Sequence, residues 1–176
     1  MSSAQAANWD IKENSTLRIE FKQFGVPTRG NFEQFTPKIE FDRGNPESCK
    51  IDVKIDLASI ASGSSQRDKI IKSDDFFKID TYPHATFSSE KCKNIGGNAY
   101  EAYGELTIRN ITRPVMLPFT LDYQTSGSVL TANAKAELPL SRYDYDLGNT
   151  GMWRGTGIIS RVIRIYLDIE ASVQDN

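Results

Sequence analysis

Apolar and polar side chains alternate one by one along most of this chain. Successive side chains of a β-strand point to opposite faces. The alternation therefore predicts strands over 8–12, 15–24, 28–35, 37–43, 49–57, 84–93, 99–109, 114–124, 128–140 and 158–173. Ile51, Val53, Ile55 and Leu57 share one face of such a strand, while Lys50, Asp52, Lys54 and Asp56 share the other. Ile163, Ile165, Leu167, Ile169 and Ala171 form an equally clean apolar row near the C-terminus. One face of the sheet is thus apolar and the other solvated. Turn residues fall between the strands, at Gly25-Val26-Pro27, Gly44-Asn45-Pro46, Gly96-Gly97-Asn98 and Ser126-Gly127-Ser128. Many strands with short turns predict an antiparallel meander. A sheet this wide removes its edges by closing into a barrel.

Two segments depart from the rhythm. In Leu130-Thr131-Ala132-Asn133-Ala134-Lys135-Ala136-Glu137-Leu138 the inward positions carry three alanines in succession. Protein cores are packed as densely as organic crystals, so these alanines leave volume for facing aromatics or for a ligand. Between residues 64 and 78 the pattern turns helical. Ser64 or Ser65 can cap, Ile70 and Ile71 follow, and Phe76 and Phe77 come a turn or two later. Such an excursion covers one end of the barrel, and its apolar residues form a plug or a lid.

Polar residues in apolar company mark the candidate mouth. Gln23 falls in phase with Leu17, Ile19 and Phe21, and a buried amide without partners costs about 1–3 kcal/mol. It bonds either to nearby backbone or to a ligand head group. The stretch from Arg142 to Gly155 concentrates Tyr143, Tyr145 and Trp153 with Arg142 and Arg154. The aromatics can frame an opening and an arginine can meet a polar or anionic head. The alternative is a loop folded over the barrel end, with Arg142 paired to an acid.

Composition narrows the function classes. The chain has 176 residues and a net charge of −2, with acids and bases interspersed. That length suits one domain, predicted over 8–176 after a flexible tail at 1–7. No basic patch invites nucleic acid. His84 is the single histidine, which argues against a metal site and a histidine-based triad. No phosphate-cradling glycine loop is present. Binding is favoured over catalysis. The sequence opens without a leader, yet Ala4-Gln5-Ala6 has the small-x-small form that precedes a signal-peptidase cut. Cys49 runs with the inward Ile51, whereas Cys92 runs with Thr86 and Ser88, opposite to Phe87. Without a bulge the two sulfurs lie on opposite faces, so parity predicts free thiols.

Several motifs resemble the YceI-like family of lipocalin-like, polyisoprenoid-binding bacterial barrels. They are Phe21-Lys22-Gln23-Phe24-Gly25-Val26-Pro27 with Arg29-Gly30-Asn31-Phe32, and Asp56-Leu57-Ala58-Ser59-Ile60 with Gln66-Arg67-Asp68. The most specific is Ser73-Asp74-Asp75-Phe76-Phe77 leading to Tyr82-Pro83-His84-Ala85-Thr86-Phe87-Ser88-Ser89. Gly104-Glu105-Leu106-Thr107-Ile108 with Thr112-Arg113-Pro114-Val115 completes the set.

The resemblance implies an all-β, extended antiparallel lipocalin-like barrel that holds a long-chain amphiphile. The ligand would be a polyisoprenoid, an isoprenoid quinone or a fatty-acid derivative, carried without a covalent cofactor and without enzymatic turnover. It also implies a periplasmic location and allows a homodimer. Gln23 stands where the family often has histidine, in a form associated with a membrane cytochrome b. A quinone-linked redox accessory is accordingly the alternative function. Predicted cavity walls are Phe21, Phe32, Phe41 and Ile55 from the first half of the chain. Phe87, Phe119, Ala134 and Ile165 supply the second half. Phe76, Phe77 and Trp153 line one end, and Gln23, Arg142 and Tyr143 are the predicted polar contacts.

Overall fold

A computed structural model describes residues 7–174. These residues form one twelve-stranded antiparallel sheet that curls on itself, with one α-helix. Strands β1 (Ala7–Asn8) and β2 (Asp10–Ile11) begin the chain. β3 (Thr16–Gln23), β4 (Val26–Phe32) and β5 (Phe35–Phe41) follow, then β6 (Lys50–Asp56) and β7 (Ile60–Ala61). Helix α1 (Ser65–Lys72) precedes the long meander of β8 (His84–Gly96), β9 (Ala99–Ile108), β10 (Ile111–Ser126), β11 (Val129–Ser141) and β12 (Val162–Gln174). The tail predicted at 1–7 lies outside the described residues except for Ala7, which already pairs with Phe41 in the sheet.

Closure comes from chain continuity. β5 pairs with β6, and their continuations β4 and β7 pair with each other. β4 also pairs with β3, at the far end of the strand order. The N-terminal segment performs the same service at the other end of the barrel, where β1 pairs with β5 and β2 with β12. The predicted strand at 8–12 is therefore split in two, because its halves serve different neighbours.

Helix α1 is shorter than the helical pattern over 64–78. The Ser64 hydroxyl caps it by accepting from the Arg67 N–H at 3.3 Å. It stops at Lys72, just before Ser73-Asp74-Asp75, whose carboxylates are unfavourable at a helix C-terminus. Turns then carry the chain to Pro83.

The cysteines form a disulfide, Cys49–Cys92, which corrects the expectation of free thiols. The parity argument fails at one residue. β8 pairs regularly with β9 through Ser88↔Glu105 and Ser89↔Gly104, then resumes at Lys91↔Tyr103. Glu90 is thus the extra residue of a β-bulge, and the alternation beyond it is inverted. Cys92 turns inward and is fully buried with Cys49. The sequence carried a faint sign of this. A Cβ on Gly104, opposite the bulge, would lie 2.2 Å from the Ser88 carbonyl oxygen. A glycine inside a strand pattern signals such close approaches.

The loop between β11 and β12 is organised by Arg142, whose side chain is 1% exposed. All five of its N–H groups are used inside the loop. Nε donates to the Ser160 carbonyl at 3.0 Å, Nη1 to the Leu147 carbonyl at 2.7 Å, and Nη2 to the Trp153 carbonyl at 2.6 Å. The Gly148 and Ile159 carbonyls and the Tyr143 hydroxyl complete the set. Burial lowers the pKa of this guanidinium, while the neighbouring Tyr143 acts the other way. Arg142 is neither paired to an acid among the described residues nor left available for a ligand. Gly148 is required here, with φ of +56° and an added Cβ only 2.7 Å from Arg142 Nη1 and the Phe76 ring. Its N–H donates to the Asp75 carbonyl at 2.6 Å, and Arg109 reaches the Phe76 and Asp146 carbonyls, so the loop is stitched to the turns after α1.

Two predictions follow from these restraints. The Cys49→Ser/Cys92→Ser variant should lose about 3–4 kcal/mol, because the bond closes a loop of 43 residues; urea unfolding would show it as a lowered midpoint. Arg142→Met should lose about 3 kcal/mol or more by orphaning buried carbonyls. Proteolysis of that variant should begin within 142–160, and cleavage elsewhere first would contradict the organising role.

Candidate functional site

The inward rows of the curled sheet do not meet, and two cavities follow one another along the barrel. The first has a volume of about 120 Å³ and is lined by apolar side chains. Room for one water is about 10–15 Å³, so this space admits a string of several carbon-sized groups. Its wall includes Ala132, Ala134 and Ala136 of β11. In the register these alanines lie beside Tyr123, Leu121 and Phe119 of β10 and beside Ala171, Ile169 and Leu167 of β12. Phe119 stacks on Tyr100 at 5.4 Å and meets the edge of Phe41 at 6.3 Å. The aromatics fill part of the space that the alanines leave, and the remainder is open.

The second cavity, of about 330 Å³, lies at the end covered by α1 and the Arg142 loop. Neighbouring inward positions divide between the two. Leu17 lines the first and Ile19 the second on β3, and Ile165 and Ile163 divide in the same way on β12. The cavities are therefore stacked end to end, one pleat apart. From Ala171 to Ile163 the lined length of β12 is about 27 Å, at roughly 3.4 Å per residue.

Most of the residues predicted for the site line these spaces. Phe41, Ile55, Phe87, Phe119, Ala134 and Ile165 wall the first cavity. Phe21, Gln23, Phe76, Phe77, Arg142 and Trp153 border the second. Two do not line either. Phe32 packs edge-on against Phe77 at 6.1 Å as part of the closed core. Tyr143 lies among the guanidinium groups of Arg142, Arg154 and Arg161, and its hydroxyl accepts from the Gly155 N–H at 3.1 Å. Trp153 is fixed by its indole N–H, which donates to Asp75 Oδ2 at 3.1 Å, and by an edge contact with Phe76 at 5.1 Å.

The polar group of the second cavity is a pair, of which only one member was expected. Gln23 Oε1 accepts from Arg67 Nε at 3.0 Å. Arg67 Nη1 donates to the Ser62 carbonyl at 3.1 Å, and Ser62 is held in turn by Asp68. Arg67 has no carboxylate partner among the described residues, and its Nη2 makes no hydrogen bond there. The cavity thus ends in a guanidinium with donors to spare, oriented by an amide. Its place on the first turn of α1 was legible, but its partnership with Gln23 spans 44 positions and is created by the fold. Trp9 and Tyr123 line the first cavity through their ring carbons. The Trp9 indole N–H donates to the Phe41 carbonyl at 3.2 Å, and the buried Tyr123 hydroxyl has no partner among the described residues. Burial raises the Tyr123 pKa well above the usual phenol range.

This architecture recurs in known proteins. The model of the YceI-like domain matches residues 9–171. A UPF0312 protein of Ectopseudomonas mendocina is 36% identical over 80% of this chain and 72% of its own length. One of Pseudomonas putida is 30% identical over 97% of this chain and 89% of its own. The match to the Photorhabdus laumondii UPF0312 protein, 34% identical over 66% of this chain, spans only 62% of that relative. Among solved structures, BcnA of Burkholderia cenocepacia superposes with a TM-score of 0.83 at 31% identity, covering 92% of this chain and 99% of that one. A polyisoprenoid binding domain from Saccharophagus degradans shares the fold at a TM-score of 0.70 and 15% identity, covering 95% of this chain and 98% of that one. The family match over nearly the whole chain and the shared barrel make this protein a member of the YceI-like family.

Proposed function

We propose that the barrel binds a long-chain amphiphile, such as a polyisoprenoid, an isoprenoid quinone or a fatty-acid derivative, and carries or stores it without chemical turnover. The observation that carries this reading is the order of the two cavities. A smaller, apolar-lined space is followed along the barrel by a larger one that ends in the Gln23–Arg67 pair. A hydrocarbon tail occupies the first and a polar or acidic head meets Arg67 Nη2. Each methylene taken from water contributes about 0.8 kcal/mol, so the tail supplies most of the affinity and the pair sets orientation. The neighbour named for polyisoprenoid binding supports the ligand class. The Cys49–Cys92 disulfide supports an oxidising compartment, in keeping with the periplasm.

Three outcomes are expected. Organic extraction of the purified protein followed by mass spectrometry should release a lipid with a long apolar chain; protein purified empty that also takes up no added lipid would end the proposal. Ala134→Trp should fill the first cavity at a cost of about 1–3 kcal/mol, which a domain of ordinary stability survives. Uptake of a fluorescent fatty acid should then fall at least about tenfold while the far-ultraviolet circular dichroism is kept. Arg67→Gln should weaken binding of a carboxylate-headed lipid by about 10- to 100-fold, the value of a charged hydrogen bond, and leave binding of a plain hydrocarbon unchanged. Equal losses for both ligands would show that Arg67 acts on the fold rather than on the head group.

A further inference from the structure

The barrel end that holds the Gln23–Arg67 pair also carries an exposed apolar surface. Phe24 is 72% exposed and Val26 62% exposed at the β3–β4 turn, Met152 is 62% exposed in the Arg142 loop, and Ile70 is 42% exposed on α1. These three segments are tied together around the opening. The Phe24 N–H donates to the Ile158 carbonyl at 2.8 Å, Gln23 bridges to Ile159, and Arg67 reaches Gln23. Ile70 also lines the second cavity, so the apolar surface is continuous with its interior.

Phe24 is the most telling of these residues. It has φ of +50° in a two-residue hairpin turn. Asparagine, aspartate or glycine normally take that position, and a bulky side chain there is under backbone strain. The ring gains no packing in exchange, since it points into solvent. The charge around these tips is one-sided in a protein of net charge −2. Residues 21–27 carry Lys22 and no acid, and residues 147–161 carry Arg154 and Arg161 and no acid, the loop's two acids, Asp144 and Asp146, lying nearer β11; Arg29 and Arg164 are paired with Glu20 and Glu137 along the strands. On α1, Lys69 and Lys72 flank Ile70, and the helix's single acid, Asp68, is bonded to Ser62. Asp74 and Asp75 follow the helix, and Asp75 holds the Trp153 indole.

We propose that this rim docks the cavity mouth onto an anionic lipid bilayer. Phe24, Val26 and Met152 enter the boundary between head groups and acyl chains, and the surrounding cations meet lipid phosphates. Ligand then passes between membrane and barrel without crossing water. That purpose rests on the binding function proposed above, whereas the docking itself is measured separately.

The test is co-sedimentation of the full chain with vesicles of phosphatidylcholine alone and of phosphatidylcholine mixed with phosphatidylglycerol. Binding is expected to the anionic vesicles, weakened by added salt. Phe24→Asn combined with Met152→Gln should lower that binding about tenfold or more, since two apolar side chains no longer leave water. Transfer of a fluorescent fatty acid from the vesicles should slow in proportion, with equilibrium uptake of the same fatty acid from ethanol unchanged and the thermal unfolding midpoint not lowered, since asparagine relieves the backbone strain at position 24. A wild-type protein that stays in solution beside anionic vesicles, or a double variant that binds them as tightly as wild type, would overturn the docking surface. Vesicle binding by a wild-type protein that takes up no fatty acid would uphold the surface and remove the ligand-binding function instead.

Discussion

The first cavity of this barrel depends on side-chain volume along a single strand. The inward positions of β11 carry Ala132, Ala134 and Ala136 where neighbouring strands carry leucine, isoleucine and aromatics. Cores collapse onto available space wherever the backbone lets them. Here the backbone cannot follow, because β11 is hydrogen-bonded along its length to β10 and β12. The missing volume therefore remains as a channel instead of closing. The open space beside these alanines follows from that mismatch between a rigid ladder and small side chains, whereas the second cavity is framed by α1 and the Arg142 loop.

A channel is useful only if its ends are defined, and the two ends are built differently. At one, β1 and β2 bridge β5 and β12 and so cover the gap in the sheet. At the other, the loop between β11 and β12 has little regular structure and needs an internal scaffold. Arg142 supplies it. A guanidinium offers five donors in a fixed planar arrangement, and the loop folds its carbonyls around them. The ordering frees the opposite wall, α1, to present Arg67 to the cavity. Two arginines with the same chemistry thus have separate duties, decided by how many of their donors the backbone consumes.

The disulfide shows how a local irregularity acts at a distance. One extra residue, Glu90, inverts the facing of β8 beyond it and places Cys92 beside Cys49. The bond joins β8 to the start of β6 at the barrel end away from α1. It restrains the sheet there without entering either cavity.

The alternation of side chains by itself determined the strands, their inward faces and the alanine stripe, because facing is a property of two consecutive residues and needs no partner. The barrel and most of the inward positions were legible for that reason; the cap was legible from helical spacing over 64–78, although the helix itself stops at Lys72. The tertiary structure decided what depends on residues far apart in sequence. Parity predicted free thiols, and a bulge set by the pairing of Ser89 with Gly104 reversed it. Composition offered Arg142 and Tyr143 to a ligand, but loop closure enclosed Arg142 in carbonyls and set Tyr143 among arginines outside the cavity. Arg67 joined Gln23 only because α1 folds back over the end of β3. Side-chain type fixes what a group can do, and only the folded backbone fixes which of its bonds are left free to do it.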